Sequence, residues 1–156
     1  MLEIAIPGGE ILRLEHLVAD FNGTMACDGV LLPGARDALC RVAEKLAIHI
    51  VTADTFGKAR EALSGIPCKL AILPEGGQDS AKLRYVETLG AGKCVCIGNG
   101  RNDRLMLAQA ALGIAVIHQE GTAVETLLAA RVVVPDINAA LGLLLNPMRL
   151  IATLRS

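Results

Sequence analysis

Four short, almost wholly apolar runs punctuate the chain: Leu17-Val18-Ala19, Ala47-Ile48-His49-Ile50-Val51, Cys94-Val95-Cys96-Ile97 and Ile114-Ala115-Val116-Ile117. Uninterrupted runs of this length mark strands buried on both faces, whereas a half-exposed strand alternates apolar and polar positions. Ahead of the first run, residues 2–6 and 11–14 flank Pro7-Gly8-Gly9 and predict a leading β-hairpin. The first core strand is then 16–20. Residues 24–32 turn at Asp28-Gly29, which predicts a second, small hairpin rising directly after Asp20 as a flap over whatever lies there. From Pro33 the elements alternate: helix 35–46, strand 47–52, helix 57–64, strand 69–73, helix 79–89, strand 93–98, helix 102–111, strand 113–117, helix 121–129, strand 131–134, and a helical tail from Asp136. Such alternation predicts an α/β fold with a doubly wound, Rossmann-like parallel sheet in one domain over 1–156.

Composition narrows this picture. The 156 residues are 53% hydrophobic but only 2% aromatic, so the core must be built from Ala, Val, Ile and Leu. A formal net charge of −1 supplies no broad basic surface, which argues against a nucleic-acid partner or an anionic membrane. The longest apolar stretches, such as 139–145 and 112–117, fall far short of the roughly 20 residues that span a bilayer. The N-terminus lacks the charged start and apolar centre of a signal peptide. Five cysteines, Cys27, Cys40, Cys68, Cys94 and Cys96, form no C-x-x-C pair and are odd in number, so they read as small core residues of a cytoplasmic protein.

Candidate chemistry gathers at strand ends. Asp20 closes the first core strand, Thr52 the second, and Gly98-Asn99-Gly100-Arg101-Asn102-Asp103 follows the third, with Lys82 between them in the chain. Carboxyl ends of parallel strands open onto one crevice, where such sheets bind ligands. An Asp there can attack phosphorus if cations offset its repulsion from phosphate. Hard oxygen ligands suit Mg²⁺, and the expected set is Asp20, the backbone carbonyl of Asn22, and Asp103 or Asn99. Thr52 offers a hydroxyl and an N–H to phosphate, and Lys82 a fixed positive charge. Taken singly, Asp20 fits an ordinary turn, Thr52 a strand end, Lys82 a solvated helix face and Asp103 a helix N-terminus. The four in fixed order carry the reading. His16, His49 and His118 lack partners at ligand spacing and read as structural.

These residues resemble the haloacid dehalogenase-like superfamily, with its D-x-D-G-T, a strand-end Thr or Ser, a Lys, and G-D-x-x-x-D or G-D-G-x-N-D. The phosphorylation domain of P-type ATPases is similar again, with D-K-T-G-T, T-G-D and G-D-G-x-N-D beside Asp20-Phe21-Asn22-Gly23-Thr24, Thr52-Ala53-Asp54 and Gly98 to Asp103 here. The resemblance runs over about 16–134. It implies catalytic roles for Asp20, Asn22, Thr52 and Lys82, metal contacts at Asp20, Asn22, Asn99 and Asp103, and substrate contacts at Thr52, Ala53, Lys82 and Asn102. About thirty residues separate Asp20 from Thr52, and Thr52 from Lys82, which leaves no space for a cap domain. The implied protein is a capless, soluble P-type ATPase-like phosphatase. It would use Mg²⁺ and an aspartyl-phosphate on a small phosphorylated substrate, and the apolar segment 141–154 offers either a homo-oligomer surface or a packed terminal helix. Two positions depart from the pattern. Asn22 stands where the phosphatases carry a second Asp that moves protons, and Asn99 replaces a metal-site Asp. They favour an alternative in which a catalytically weak or inactive domain serves as a regulatory or interaction module.

Overall fold

The computed structural model describes residues 1–54 and 57–156. Strands β1 (Leu2–Ala5) and β2 (Ile11–Leu14) form the leading hairpin, with Leu2 opposite Leu14 and Ala5 opposite Ile11. The central sheet contains β3 (His16–Ala19), β6 (Ala47–Thr52), β7 (Cys68–Ile72), β8 (Cys94–Gly98), β9 (Leu112–Val116) and β10 (Val132–Val134). Its order is β10-β9-β8-β3-β6-β7, and every neighbouring pair is parallel. The chain leaves β3 for β6 and β7 on one side, then returns through β8 to the other. That reversal opens a crevice at the carboxyl end of β3, between β6 and β8.

Each buried strand feeds two cores because its side chains alternate across the sheet. Leu17, Ala19, Ile48, Ile50, Val95 and Ile97 face a layer containing α1 (Ala35–Ala43), α2 (Ala59–Ala62) and α6 (Ile137–Leu145). Val18, Val51, Cys94, Cys96 and Ala115 face the other layer, where α3 (Gln78–Leu89) and α4 (Arg104–Gln109) supply Val86, Met106 and Leu107. α5 (Val124–Ala129) completes that side. Apolar runs that looked continuous in the sequence are therefore two interleaved faces, each packed against helices.

The flap is present as β4 (Ala26–Cys27) and β5 (Val30–Leu31). Asp28 and Gly29 both adopt positive φ, 51° and 77°, the conformation a two-residue hairpin turn of matching twist requires. The apolar tail is two helices, α6 and α7 (Pro147–Leu154), meeting at 98° where Pro147 begins the second. Ile137, Ala140, Leu141, Leu144 and Leu150 are buried in the core, so most of the tail's apolar surface is spent inside the domain. Among the described residues no single helix is long and apolar enough to cross a membrane. All five cysteines are free, and burial pushes the Cys94 thiol up to about 11, which leaves it an inert packing group.

His49 bridges His16 and Tyr85 within the fold, at 3.2 Å and 2.9 Å. Burial, then the neighbouring His16 and Lys69, pushes its imidazole down to about 4. A ring kept neutral in the fold lets the unfolded chain bind more protons as pH falls. Its contribution to stability is intact above about 6.5 and lost progressively towards about 4. In an NMR titration the His49 ring signals should hold their neutral-form positions down to about pH 5. A midpoint at the ordinary histidine value would contradict the buried contact chain.

Candidate active site

Asp20 follows β3 at the floor of the crevice, 7% exposed, with its backbone N–H donating to Ile97 at 3.1 Å. Lys82 reaches it from α3. Lys82 and Val86, one helical turn apart, form the face of α3 turned to the sheet, so the lysine is fully buried and not on a solvated face. Its Nζ donates to Asp20 Oδ1 at 2.8 Å and to Asp103 Oδ1 at 2.6 Å. The other oxygen of Asp103 accepts from the backbone N–H groups of Asn99, at 3.0 Å, and Gly100, at 2.9 Å. Gly98 makes room for this arrangement, since a Cβ there would lie 2.5 Å from the Asp103 carboxylate carbon.

Two buried carboxylates thus share one ammonium. Burial, reinforced by repulsion from Asp103, raises the Asp20 carboxyl from 3.8 to about 6, although Lys82 pulls it back. Burial alone would lower the Lys82 ammonium, but the charges of Asp103 and Asp20 outweigh it and hold the group firmly protonated. Asp20 is therefore a carboxylate at neutral pH in a site that resists a further negative charge.

A cavity of about 180 Å³ lies over Asp20. It is lined by Asp20, Asn22, Thr52, Ala53, Asn99 and Asn102, together with Gln78 and Gly100. Thr52 Oγ1 accepts from the Asp54 N–H at 3.0 Å, which leaves its hydroxyl proton to donate. Asp54 caps the start of α2 by accepting from Lys58 and Ala59, each at 3.0 Å. The side-chain oxygen and nitrogen of Asn22 are buried and find no hydrogen-bond partner among the described residues. Leaving such groups unmatched costs about 1–3 kcal/mol each, the mark of a site shaped for something polar.

Lys82 and Asp103 do not line this cavity. They lie behind Asp20, where Lys82 joins the two carboxylates and Asp103 accepts three hydrogen bonds, one fewer than the roughly four a carboxylate can take. Asn99 lines the cavity, yet its Oδ1 accepts from Thr24 Oγ1 at 3.1 Å and its Nδ2 donates to the Gly121 carbonyl at 2.8 Å. A carbonyl only accepts, which fixes the amide orientation. Asn99 ties together the loops after β3, β8 and β9. Asp20 and Asn22 place one carboxylate and one unmatched amide on the same cavity. This set suits Mg²⁺, which commonly takes one or two carboxylates and fills its shell with water and phosphate oxygens.

Sequence reasoning missed Gln78 and Thr24. Gln78 precedes Lys82 by four residues on the same helical face, a spacing that would have found it. Thr24 closes the Asp20-to-Thr24 motif, a place that gave it no role of its own before its bond to Asn99 was seen. The geometry also predicts the effect of Asn99→Asp. Without metal, a carboxylate oxygen facing the Gly121 carbonyl should cost about 1–3 kcal/mol. With Mg²⁺ the new carboxylate becomes a ligand, so the variant should gain more thermal stability from the metal than the unmodified protein does. Equal metal responses in the two proteins would contradict the assignment.

A switch-point carboxylate, a buried lysine behind it and an Asn-Gly loop at the next strand end make this the fold of the haloacid dehalogenase-like superfamily. No cap interrupts it among the described residues. No family model matches the chain. An uncharacterised protein of Methanocaldococcus jannaschii is 49% identical over 84 residues, which are 51% of this chain and 90% of that protein, and the chain belongs to one family with it. Among solved structures, a 3-deoxy-D-manno-octulosonate 8-phosphate phosphatase from Moraxella catarrhalis superposes with a TM-score of 0.71 at 15% identity, over 91% of this chain and 94% of that one. That structure holds magnesium, phosphate and the sugar acid. The catalytic domain of the CPx-ATPase CopB-B matches with a TM-score of 0.61 at 27% identity, over 75% of this chain but 46% of that one.

Proposed function

We propose that the chain is a Mg²⁺-dependent phosphohydrolase acting on a small phosphomonoester through a phosphoryl group carried on Asp20. The observation that carries this reading is the Asp20 carboxylate, kept ionised on the floor of a polar cavity by an ammonium it shares with Asp103. In the first step an Asp20 oxygen attacks phosphorus, the bond to the leaving oxygen breaks, and that oxygen takes a proton from water. In the second, water attacks the same phosphorus, releases inorganic phosphate and returns the carboxylate. Thr52 donates its hydroxyl proton to a phosphate oxygen, and Lys82 steadies the Asp20 charge before attack and after release. Mg²⁺, held by Asp20 and Asn22, would supply positive charge against the phosphate. Two structural neighbours with bound magnesium or cobalt support a divalent cation here.

Asn22 favours a second reading, a domain of little or no turnover that serves a partner. Its amide neither gives nor takes a proton in the useful range, and positioned proton transfer is typically worth about 10²–10⁴ in rate. Purified protein with Mg²⁺ and a panel of phosphomonoesters separates the two. The phosphatase reading expects an activated aryl phosphate to react faster than an alkyl phosphate, with a burst followed by slow turnover. Asn22→Asp should then accelerate the slow phase by up to about 10²–10⁴ and narrow the gap between aryl and alkyl substrates. Turnover that is unchanged or lower in that variant, with Mg²⁺ binding preserved, would favour the interaction module.

A further inference from the structure

A second cavity adjoins the first. It is an open hollow of about 460 Å³ between residues 76–79 and Arg101, Asn102 and Arg104. The two cavities share Gln78 and Asn102, whose side chains meet through a 2.8 Å hydrogen bond from Asn102 Nδ2 to Gln78 Oε1. At about 180 Å³ the inner cavity is well below the roughly 300–1,000 Å³ of a typical small-molecule site. It holds a phosphoryl group, while the rest of a phosphomonoester must extend beyond it. The cavity behind the flap, formed by Gly29 to Gly34 and the start of α2, shares no lining residue with the inner one. A leaving group that extends past Gln78 and Asn102 enters the outer cavity.

Charge in the outer cavity says what that group carries. Arg104 Nη2 donates to Asp79 Oδ2 at 2.8 Å and Nη1 donates to the Arg101 carbonyl at 2.9 Å, so its charge is already matched and it braces the loop. Asp79 is held below the usual carboxylate range by the Ser80 N–H and by Arg104, so it stays ionised in that pair. Arg101 is different. Its side chain is 73% exposed, and its contact is Glu125 at 3.3 Å, itself exposed, a kind of pair that yields readily to a better partner. One guanidinium is thus free to turn inward, and a planar fork of donors fits a carboxylate edge-on.

We propose that the outer cavity receives a leaving group bearing a carboxylate, and that Arg101 is the residue that selects for it. One available positive charge matches one carboxylate better than a second, doubly charged phosphate. The inference rests on the phosphatase reading and names its substrate class. Glu125 acts as a competitor for Arg101, occupying the guanidinium until substrate arrives.

Matched substrates test this. Phosphoglycolate is compared with 2-hydroxyethyl phosphate, and 3-phosphooxypropionate with 3-hydroxypropyl phosphate, with p-nitrophenyl phosphate as the measure of phosphatase chemistry. In the unmodified protein kcat/KM should favour the carboxylate member of at least one pair by about tenfold or more. Arg101→Ala should collapse that ratio towards one, Arg101→Lys should keep part of it, and Glu125→Ala should raise it. Thermal unfolding of the variants guards against a folding defect. Turnover of p-nitrophenyl phosphate without carboxylate preference, or a preference that survives Arg101→Ala, overturns the proposal and leaves the phosphatase reading standing. Absence of turnover on all five compounds overturns both.

Discussion

Asp20→Asn is expected to abolish turnover, by at least about 10⁴-fold, while making the fold more stable. Both effects arise from one carboxylate. The substitution removes the attacking oxygen's charge at nearly constant volume, and among the described residues no other carboxylate lines the inner cavity to replace it. Stability moves the other way because the Asp20 carboxyl is raised from 3.8 to about 6 by burial and by Asp103. A carboxyl with a raised folded value opposes folding at every pH where it is ionised. That opposition is absent below about 4 and complete above about 6, where it reaches roughly 3 kcal/mol. An amide at position 20 carries none of it, and Lys82 keeps its bond to Asp103. Urea unfolding at pH 7 and at pH 4 checks the sign: the variant should be the more stable protein at the higher pH, with the difference shrinking at the lower. Loss of stability in Asp20→Asn at neutral pH would mean that Asp20 is a structural anchor.

Lys82→Met should be the most damaging single change to the fold. It removes the ammonium between two buried carboxylates that lie within 2.8 Å of it and leaves their repulsion unopposed. Breaking a buried pair in this way costs about 3–5 kcal/mol, a large share of a small domain's stability. The cost should be relieved by acid, because loss of the ammonium raises the folded value of the Asp20 carboxyl still further and its protonation then favours the native state. Circular dichroism should find the variant largely unfolded or strongly weakened at neutral pH, with part of the loss recovered near pH 5. A variant as stable as the unmodified protein at neutral pH would show that Lys82 does not neutralise this pair. Activity should be lost even where the fold is recovered, since Asp20 is then protonated.

The buried strands and their parallel, doubly wound arrangement were readable because physics left few choices. Leu17-Val18-Ala19 and Cys94-Val95-Cys96-Ile97 are too short and too apolar for anything but buried strands, and parallel strands joined by helices wind one way. The crevice position of Asp20, Thr52 and the Asn99 loop followed from that topology. Boundaries were less readable: the helix expected over 57–64 is only Ala59–Ala62, and that over 121–129 begins at Val124. In the site, residue identity and spacing said which groups meet but not which lone pairs are already used. Nothing in the spacing said that Asp103 also accepts from Lys82 and from two backbone N–H groups. Asn99 looked like a weakened ligand and is also a clip between three loops. Lys82 looked ordinary on a helix of modest polarity, because a buried lysine is improbable until the two carboxylates beside it are placed in space.

The central claim, that phosphorus is carried on Asp20, is tested most directly by trapping. Protein mixed with p-nitrophenyl phosphate and Mg²⁺ is quenched in acid at successive times, and its peptides are mapped by mass. The account predicts one phosphoryl group on the peptide containing Asp20, accumulating early, decaying slowly because Asn22 cannot activate water, and absent from Asp20→Asn. Release of p-nitrophenol while the Asp20 peptide stays unmodified at every time, or a phosphoryl group on a different residue, would contradict it.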